Sequence, residues 1–285
     1  MSQPGTLYIV ATPIGNLGDL TPRARAVLSS SALIAAEDTR HTRQLLQACG
    51  VDTPLTSLHE HNEAIKSGEL IAQLLEGKSV ALVSDAGTPL ISDPGFDLVG
   101  AARARGIDVV AIPGPCAAIA ALSVAGLPTD RFAFEGFLPA KPAARRARLE
   151  ILASEPRTLV FYEAPHRVRE LLRDLAGVFG SERRATLSRE LTKRFETTYA
   201  GSLAELVARA DQDADVSRGE IVVIVAGAPE IVRSGPSLAA ERVLRALLEE
   251  LPPSQAAKIA ARLTDAKRAD LYEMAVRIAG RKEKP

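Results

Sequence analysis

Cysteine is scarce: the chain carries two, Cys49 and Cys116, in 285 residues. Neither falls in a CxxC or zinc-type spacing. That argues against a disulfide framework and a structural zinc, and fits a reducing cytosol. Net charge is missing too, because 35 Lys and Arg balance 35 Asp and Glu. No global field draws such a chain to nucleic acid, so any attraction of that kind is local. The opening MSQPGTLYIV has no basic leader and runs straight into a strand-like segment, so no signal peptide is expected. One stretch, Val109 to Leu127, has no charge at all. Pro113, Gly114 and Pro115 interrupt it and Asp108 and Asp130 flank it. A strand, a sharp turn and a buried helix are expected there in place of a membrane span.

What is present is alternation. Apolar, β-rich runs at Thr6–Ala11, Leu33–Ala36, Val80–Val83 and Val109–Ile112 are separated by helical patterns near 22–29, 40–48, 62–76 and 94–105. This order predicts a parallel sheet with crossover helices. Uninterrupted apolar strands such as SVALV and DVVAI suit a sheet covered on both faces. After Pro128 the texture changes: FAFEGFLP, a basic helix AKPAARRARLEILA, then TLVFYE, PHRVRELLRDLAGVF, ATLSRE, ETTYAG and GEIVVIVAG. Strands now outnumber helices, which predicts a second α+β domain with a mixed sheet. The Gly/Pro-rich segment 227–237 reads as a linker. Beyond it lie helical patterns at Leu238–Glu250, Ser254–Leu263 and Lys267–Ala279, with Ser254 and Asp265 as N-cap types. The expected organisation is α/β: a parallel-sheet domain over 1–115, a mixed-sheet domain over 116–228, and a helical extension over 237–285. The length fits two domains and an appendage.

Several strand ends carry residues suited to chemistry. Gly15 and Gly18 open the turn after the first strand, where bare backbone can approach a ligand. In VALVSDAGTPLISDPG a buried strand runs into small residues at its carboxyl end, the position where α/β sheets bind ligands. VVAIPGPCAAIAAL repeats the arrangement, with Cys116, Ala117 and Ala118 leaving space for a flat ring. Glu37, Asp38, Arg40 and His41 crowd another strand end, where Asp38 or Thr39 equally suits a helix cap. His59 and His61 lack a third ligand at standard spacing, so no metal site is expected, and Asn62 suits substrate hydrogen bonding or capping. His166 and Arg167 follow Tyr162 and Glu163 near a helix start. Between Lys141 and Arg194 there are 13 Lys/Arg against seven Asp/Glu. Such an excess in a neutral chain points to a polyanion-facing patch, with a solvated helix face as the alternative. The segment 252–278 has a helix-turn-helix pattern.

In this order, TPIGNLGDLTPRA, AEDTRHT, HEHNE, SDAGTPLISDPG, PGPCAAIAAL, GLPTDRFAFEGFLP, FYEAPHR and RELTK resemble the bacterial 16S rRNA ribose 2'-O-methyltransferases of the tetrapyrrole methylase superfamily. The similarity runs from Leu7 to about Val225. The resemblance implies S-adenosylmethionine held in a cleft between two α/β domains, in a homodimer. It places the cofactor against Asp85, Gly87, Thr88, Leu90, Ile91 and Ser92, against Cys116 and Ala117, and against Tyr162 and Glu163. Pro13 would lie beneath it, and Glu220 and Ile221 would close over the adenine. Thr88 departs from the Asp that tetrapyrrole-methylating relatives carry here. The acceptor implied is the 2'-hydroxyl of a decoding-centre cytidine in 16S rRNA, within the 30S subunit. Asn16, His59, Asn62, His166, Arg167, Arg189 and Lys193 are the expected substrate contacts.

A sulfonium is already electrophilic, while a ribose hydroxyl is a poor nucleophile. In-line orientation supplies about 7–11 kcal/mol, and a base about 10²–10⁴-fold. Asp38 is the expected base, Arg40 its electrostatic partner and Glu37 their neighbour. Two alternatives are weighed: a tetrapyrrole or protein side-chain methylase of the same superfamily, and an RNA-binding module without catalysis. The charge excess and Thr88 disfavour the first; the polar strand ends at 37–41 and 85–93 disfavour the second.

Overall fold

The computed structural model describes residues 3–229, 238–264 and 266–282. The chain forms two compact units, Met1–Ala228 and Pro229–Pro285.

The first unit begins with β1 (Leu7–Val10), α1 (Pro22–Ser30), β2 (Leu33–Ala36), α2 (Thr39–Cys49), β3 (Leu55–Ser57), α3 (Glu63–Leu75), β4 (Val80–Val83), α4 (Phe96–Ala104), β5 (Val109–Ile112) and α5 (Ala117–Val124). Its five strands pair in parallel in the order β3-β2-β4-β1-β5. Side chains alternate across a strand, and β4 shows the consequence. Val80 and Leu82 enter a core with Leu70, Leu74 and Leu98, while Ala81 and Val83 enter another with Leu28, Ile34 and Leu46. Helices therefore cover both faces, as the continuous apolar runs predict. Short β3 was not legible: its three residues are half-buried and make no apolar run.

The unit continues with β6 (Phe132–Phe137), α6 (Pro142–Leu152), β7 (Thr158–Glu163), α7 (Val168–Phe179), β8 (Arg184–Arg189), β9 (Thr197–Ser202), α8 (Leu203–Gln212) and β10 (Ile221–Val225). This sheet is mixed, in the order β6-β7-β10-β8-β9, with only β6–β7 parallel. Sequence patterning also misses α8, which starts with a reciprocal Ser202–Glu205 capping box. One face of the sheet packs on α6, α7 and α8. The other receives α5: Ala118, Ala121 and Leu122 lie in a core with Val160, Val222 and Ile224. The uncharged run Val109–Leu127 is thus a strand of the first sheet, a turn, and a helix packed on the second.

The basic helix α6 is anchored to the fold. Arg145 is 1% exposed; its Nε donates to Asp174 Oδ2 at 2.7 Å, and Arg146 Nε donates to Asp174 Oδ1 at 2.7 Å. Further pairs join Arg148 to Glu135, Arg157 to Glu155, Arg173 to Asp211, and Lys193 to Glu190 and Glu220. Seven of the 13 cations between Lys141 and Arg194 make ion pairs, and three of their partners, Glu135, Asp211 and Glu220, come from outside the segment, so about half of the excess of six charges is offset.

The second unit contains α9 (Leu238–Leu247), α10 (Pro253–Leu263) and α11 (Arg268–Lys282). Small residues make its core, with Ala240, Ala256, Ala257, Ala260 and Ala275 around Leu244 and Leu271. Helix α10 starts one residue before the expected Ser254 cap, with Pro253 at the first position and Pro252 as its N-cap residue. Proline suits that position because its missing N–H has no partner there anyway. Asp265 and most of the expected linker, 230–237, lie outside the described residues. Among the described residues no helix is long and apolar enough to cross a membrane.

Candidate active site

Strands β1 and β4 are neighbours, yet the helices that follow them go to opposite faces. Ala24 and Leu28 of α1 join one core; Leu98 and Ala102 of α4 join the other. Parting helices leave a crevice at the carboxyl ends of the two strands. There Thr12 and Gly87 exchange backbone hydrogen bonds of 2.9 and 3.0 Å. Gly87 has φ +84°, and a Cβ on it would lie 3.2 Å from Ile14 Cγ2. Thr88 Oγ1 donates to the Pro115 carbonyl at 3.0 Å, fastening the loop after β4 to the turn that opens α5.

The second sheet closes this crevice into a cavity of about 350 Å³, within the roughly 300–1,000 Å³ of small-molecule sites. From the first sheet come Ile14, the segments Ala86–Thr88 and Ile91–Asp93, and Cys116–Ala117. From the second come Phe137, Tyr162–Pro165, Leu191 and Glu220–Val222. The Tyr162 hydroxyl accepts the Ala118 N–H at 3.0 Å, and its ring stands edge-on to Phe134 and Phe137. Removing that oxygen in Tyr162→Phe leaves the Ala118 N–H without its partner. We expect a loss of about 1 kcal/mol, read as a lowered melting temperature with the spectrum of the native fold retained.

Strained backbone holds two aliphatic walls. Ile91 sits between Leu90 (φ 72°) and Ser92 (φ 69°), and Leu191 between Glu190 (φ 52°) and Thr192 (φ 66°). These four are the only non-glycine residues with positive φ among those described. Such conformations cost about 1–3 kcal/mol each and gather at functional sites. Glu190 is pinned by the Glu220 N–H and by Lys193 Nζ, both at 3.0 Å.

Asp93 is the wall's unusual acid. Burial, and secondarily the charge of Asp85, push its carboxyl up to about 6 against a hydrogen bond from Ser84. Glu37 is also raised, chiefly by burial and then by Asp85 and Asp93. Asp38 goes the other way. Its Oδ1 accepts the Arg40 N–H at 2.8 Å as the cap of α2, and its Oδ2 accepts Arg40 Nη2 at 2.8 Å. The Arg40 guanidinium and then its N–H hold the Asp38 carboxyl well below the usual carboxylate range. A carboxylate so committed is a poor proton acceptor, and Arg40 points its 88% exposed side chain into solvent.

Of the residues expected at the cofactor, Gly87, Thr88, Ile91 and Ser92 line the cavity, as do Cys116 and Ala117. Tyr162, Glu163, Glu220 and Ile221 line it from the other sheet. Asp85, Leu90 and Pro13 do not. Asp85 Oδ1 accepts the Asp38 N–H at 2.9 Å, Leu90 packs into the core below, and Ile14 takes the wall position beside Pro13. Sequence reasoning missed Asp93, Ile14, Phe137 and Leu191. All four lie inside diagnostic blocks, Ile14 in TPIGNLGDLTPRA, Asp93 in SDAGTPLISDPG, Phe137 in GLPTDRFAFEGFLP and Leu191 in RELTK, but nothing in those blocks marks them as facing a ligand.

The expected substrate contacts divide. Asn16, in the exposed turn after β1, accepts the Gly18 N–H at 2.9 Å, and His166 is exposed beside Pro165. Asn62 is spent on its own turn, accepting the His59 N–H at 2.9 Å and donating to Ser57. His59 is half-buried and packs edge-on against His61. Arg167 donates to the Leu138 carbonyl at 2.7 Å. Arg189 is 8% exposed and donates to the carbonyls of Arg218 and Phe195. Lys193 lies over Gly15 and pairs with Glu190 and Glu220. Asn62, Arg167, Arg189 and Lys193 thus each have partners within the protein, as polar groups near strand ends do where loops need them. No cluster of three metal-ligating side chains occurs among the described residues.

Residues 6–207 match the family model described as Tetrapyrrole (Corrin/Porphyrin) Methylases. Residues 234–279 match one described as RsmI C-terminal HTH domain. The chain is 59% identical to a Xylella fastidiosa protein named Ribosomal RNA small subunit methyltransferase I, over 95% of this chain and 99% of that one. It is 57% identical to the Pseudomonas aeruginosa protein of the same name, over 97% and 99%. Among solved structures it resembles a uroporphyrin-III C-methyltransferase from Thermus thermophilus complexed with S-adenosylhomocysteine, with TM-score 0.54, 20% identity, and coverage of 80% of this chain and 99% of that one.

Proposed function

The chain belongs to the tetrapyrrole methylase family, and from that premise we propose that it methylates the ribose 2'-hydroxyl of a decoding-centre cytidine in small-subunit rRNA, using S-adenosylmethionine. Identity near 60% along almost the whole of both chains makes it an rRNA small-subunit methyltransferase. The position methylated and the groups that assist are our assignment. The observation that carries it is the meeting of the 86–93 loop with the 116–117 turn in one cavity. That cavity fits an adenosyl group. Its walls at Ile14, Ile91, Leu191, Ile221 and Val222 are apolar, and the cradle at Gly87 is one that a Cβ would crowd.

When bound, the cofactor supplies an electrophilic methyl carbon on a sulfonium. The protein's part is to orient the acceptor hydroxyl in line with that carbon and to take its proton. Asp93 is better placed for the proton than Asp38: it lies in the wall, and its carboxyl titrates near 6. An ionised Asp93 accepts and a protonated one does not. The rate of the chemical step therefore rises as pH passes through about 6 and levels off above it. Asp93→Asn should slow that step by roughly 10²–10⁴-fold and abolish the limb, while Asp38→Asn should retain it. Single-turnover rates across pH check this, and an Asp93→Asn enzyme with wild-type rate and profile would dismiss the assignment.

For contact with rRNA we propose exposed cations such as Lys141, Arg184 and Arg194. The working form we propose is a homodimer acting on the assembled 30S particle, following the family resemblance. Labelled methyl incorporation into 30S subunits against naked rRNA, with the mass of the species in solution, tests both.

A further inference from the structure

One strand falls out of step at the cavity wall. In β6, Ala133 stands opposite Leu159 of β7 and Phe134 opposite Val160, but the next pair is Gly136 with Phe161. Glu135 is the extra residue of a β-bulge, and Gly136 beside it has φ +62°. Side chains alternate across a strand. A regular β6 would therefore point Phe137 the same way as Ala133, into the core with Leu149 and Leu171. The bulge reverses that parity: Phe137 pairs with Tyr162 and shares the face of Phe134, toward the cavity. The bulge is held from both sides. Arg148 Nη2 of α6 donates to Glu135 Oε2 at 2.7 Å, and a Cβ on Gly136 would lie 3.3 Å from Ser92 Oγ in the opposite wall. Bulges beside active sites re-aim a side chain.

The re-aimed ring keeps an open surface. Two aromatic side chains line the cavity. Tyr162 is half-buried and spends its hydroxyl on the Ala118 N–H, whereas Phe137 is 57% exposed. We infer that the Phe137 ring stacks on the nucleobase of the acceptor nucleotide and so positions its ribose for methyl transfer. This rests on the rRNA acceptor and the cofactor assigned above. In-line transfer brings the acceptor oxygen to the methyl carbon from the side away from sulfur, so the acceptor enters from the open rim. In a nucleotide the base is attached to the carbon next to the one bearing the 2'-hydroxyl. A base whose ribose reaches the methyl group therefore comes within reach of a ring in the same wall. An acceptor drawn out of its strand loses its stacking neighbours, and an aromatic face replaces them. Exposure separates this base from the adenine of the cofactor: a ring committed to an enclosed group turns inward, and Phe137 keeps more than half its surface toward solvent. Every base offers a π-face, so Phe137 sets the position of the acceptor and not its sequence.

Three variants separate stacking from mere bulk. Phe137→Ala removes the ring, Phe137→Leu keeps apolar volume without a π-face, and Phe137→Trp restores one. Methyl transfer to 30S subunits lacking the modification is measured at saturating S-adenosylmethionine. Phe137→Ala and Phe137→Leu are each expected to lower kcat/KM for the subunit by at least about tenfold, and Phe137→Trp to stay within about threefold of wild type. Calorimetric titration of Phe137→Ala with S-adenosylhomocysteine should give affinity within about twofold of wild type, with the native fold and the mass in solution unchanged. Phe137→Leu with wild-type kcat/KM overturns the inference, since the ring would then be only an apolar filler. An equal loss of S-adenosylhomocysteine affinity in Phe137→Ala also overturns it, because the ring would belong to the cofactor. So does a change in mass, which would mean that a second copy covers the ring. Wild-type protein that leaves the subunit unmethylated removes the function proposed above and the inference with it, whereas wild-type methylation with indifferent variants removes the inference alone.

Discussion

Gly87→Val should weaken S-adenosylhomocysteine binding by at least about 100-fold while leaving a folded protein. Two costs combine. At φ +84° a β-branched residue sits in the left-handed region, at roughly 1–2 kcal/mol. The added Cβ also meets Ile14 Cγ2 at 3.2 Å and the Pro115 carbonyl at 3.6 Å. Ile14 is cavity wall, and the Pro115 carbonyl is the acceptor that Thr88 uses to fasten its loop. Neither moves without reshaping the site. Gly87→Ala adds the same Cβ without the branch and should lie between wild type and valine. Titration calorimetry alongside thermal melts separates loss of the cradle from loss of the fold. A valine variant that binds like wild type would show that the crevice at β1 and β4 does not receive the ligand.

The second large effect lies away from the cavity. Asp174→Ala should destabilise the protein by about 3–5 kcal/mol, because it leaves a buried guanidinium without its main partner. Arg145 is 1% exposed, and its remaining carboxylate, Glu170, is 3.2 Å away with a side chain 61% exposed. In a unit of this size the loss corresponds to a drop in melting temperature of roughly 10 °C. Replacing the pair together, Arg145→Met with Asp174→Leu, should recover most of it, since well-packed apolar residues substitute for a buried ion pair. A change below about 1 kcal/mol in Asp174→Ala would mean that water reaches Arg145 and that α6 is held by its apolar face alone.

The two sheets were largely legible in the sequence because their central strands, such as β4, β7 and β10, are buried on both faces. A short apolar run such as VALV, set between helical patterns, suits a strand with helices above and below it. Strand β3 lacked that signal, and the start of α10 depended on two prolines that local patterning treats as breakers. The cavity was legible where small residues stand at strand ends, as at Gly87, Thr88, Cys116 and Ala117. It was not legible at Ile14, Phe137 or Leu191, because an apolar side chain facing a ligand has the same sequence signature as one facing the core. Polar residues are ambiguous for the opposite reason. Asp38, Asn62, Arg167 and Arg189 look functional in a string of letters, but each satisfies a backbone group or a nearby charge that only the folded chain reveals. Asp93 shows the converse, since its environment comes from Ser84, Asp85 and the cavity rather than from its neighbours in DPG.

The cavity wall draws on positions from Ile14 to Val222, so no fragment of the first unit contains a binding site. Occupancy and integrity are then one quantity. By mass action, ligand at 100 times its dissociation constant adds about 2.7 kcal/mol to the folded state. Protein without its ligand lacks that increment, so its melting temperature should rise with ligand concentration.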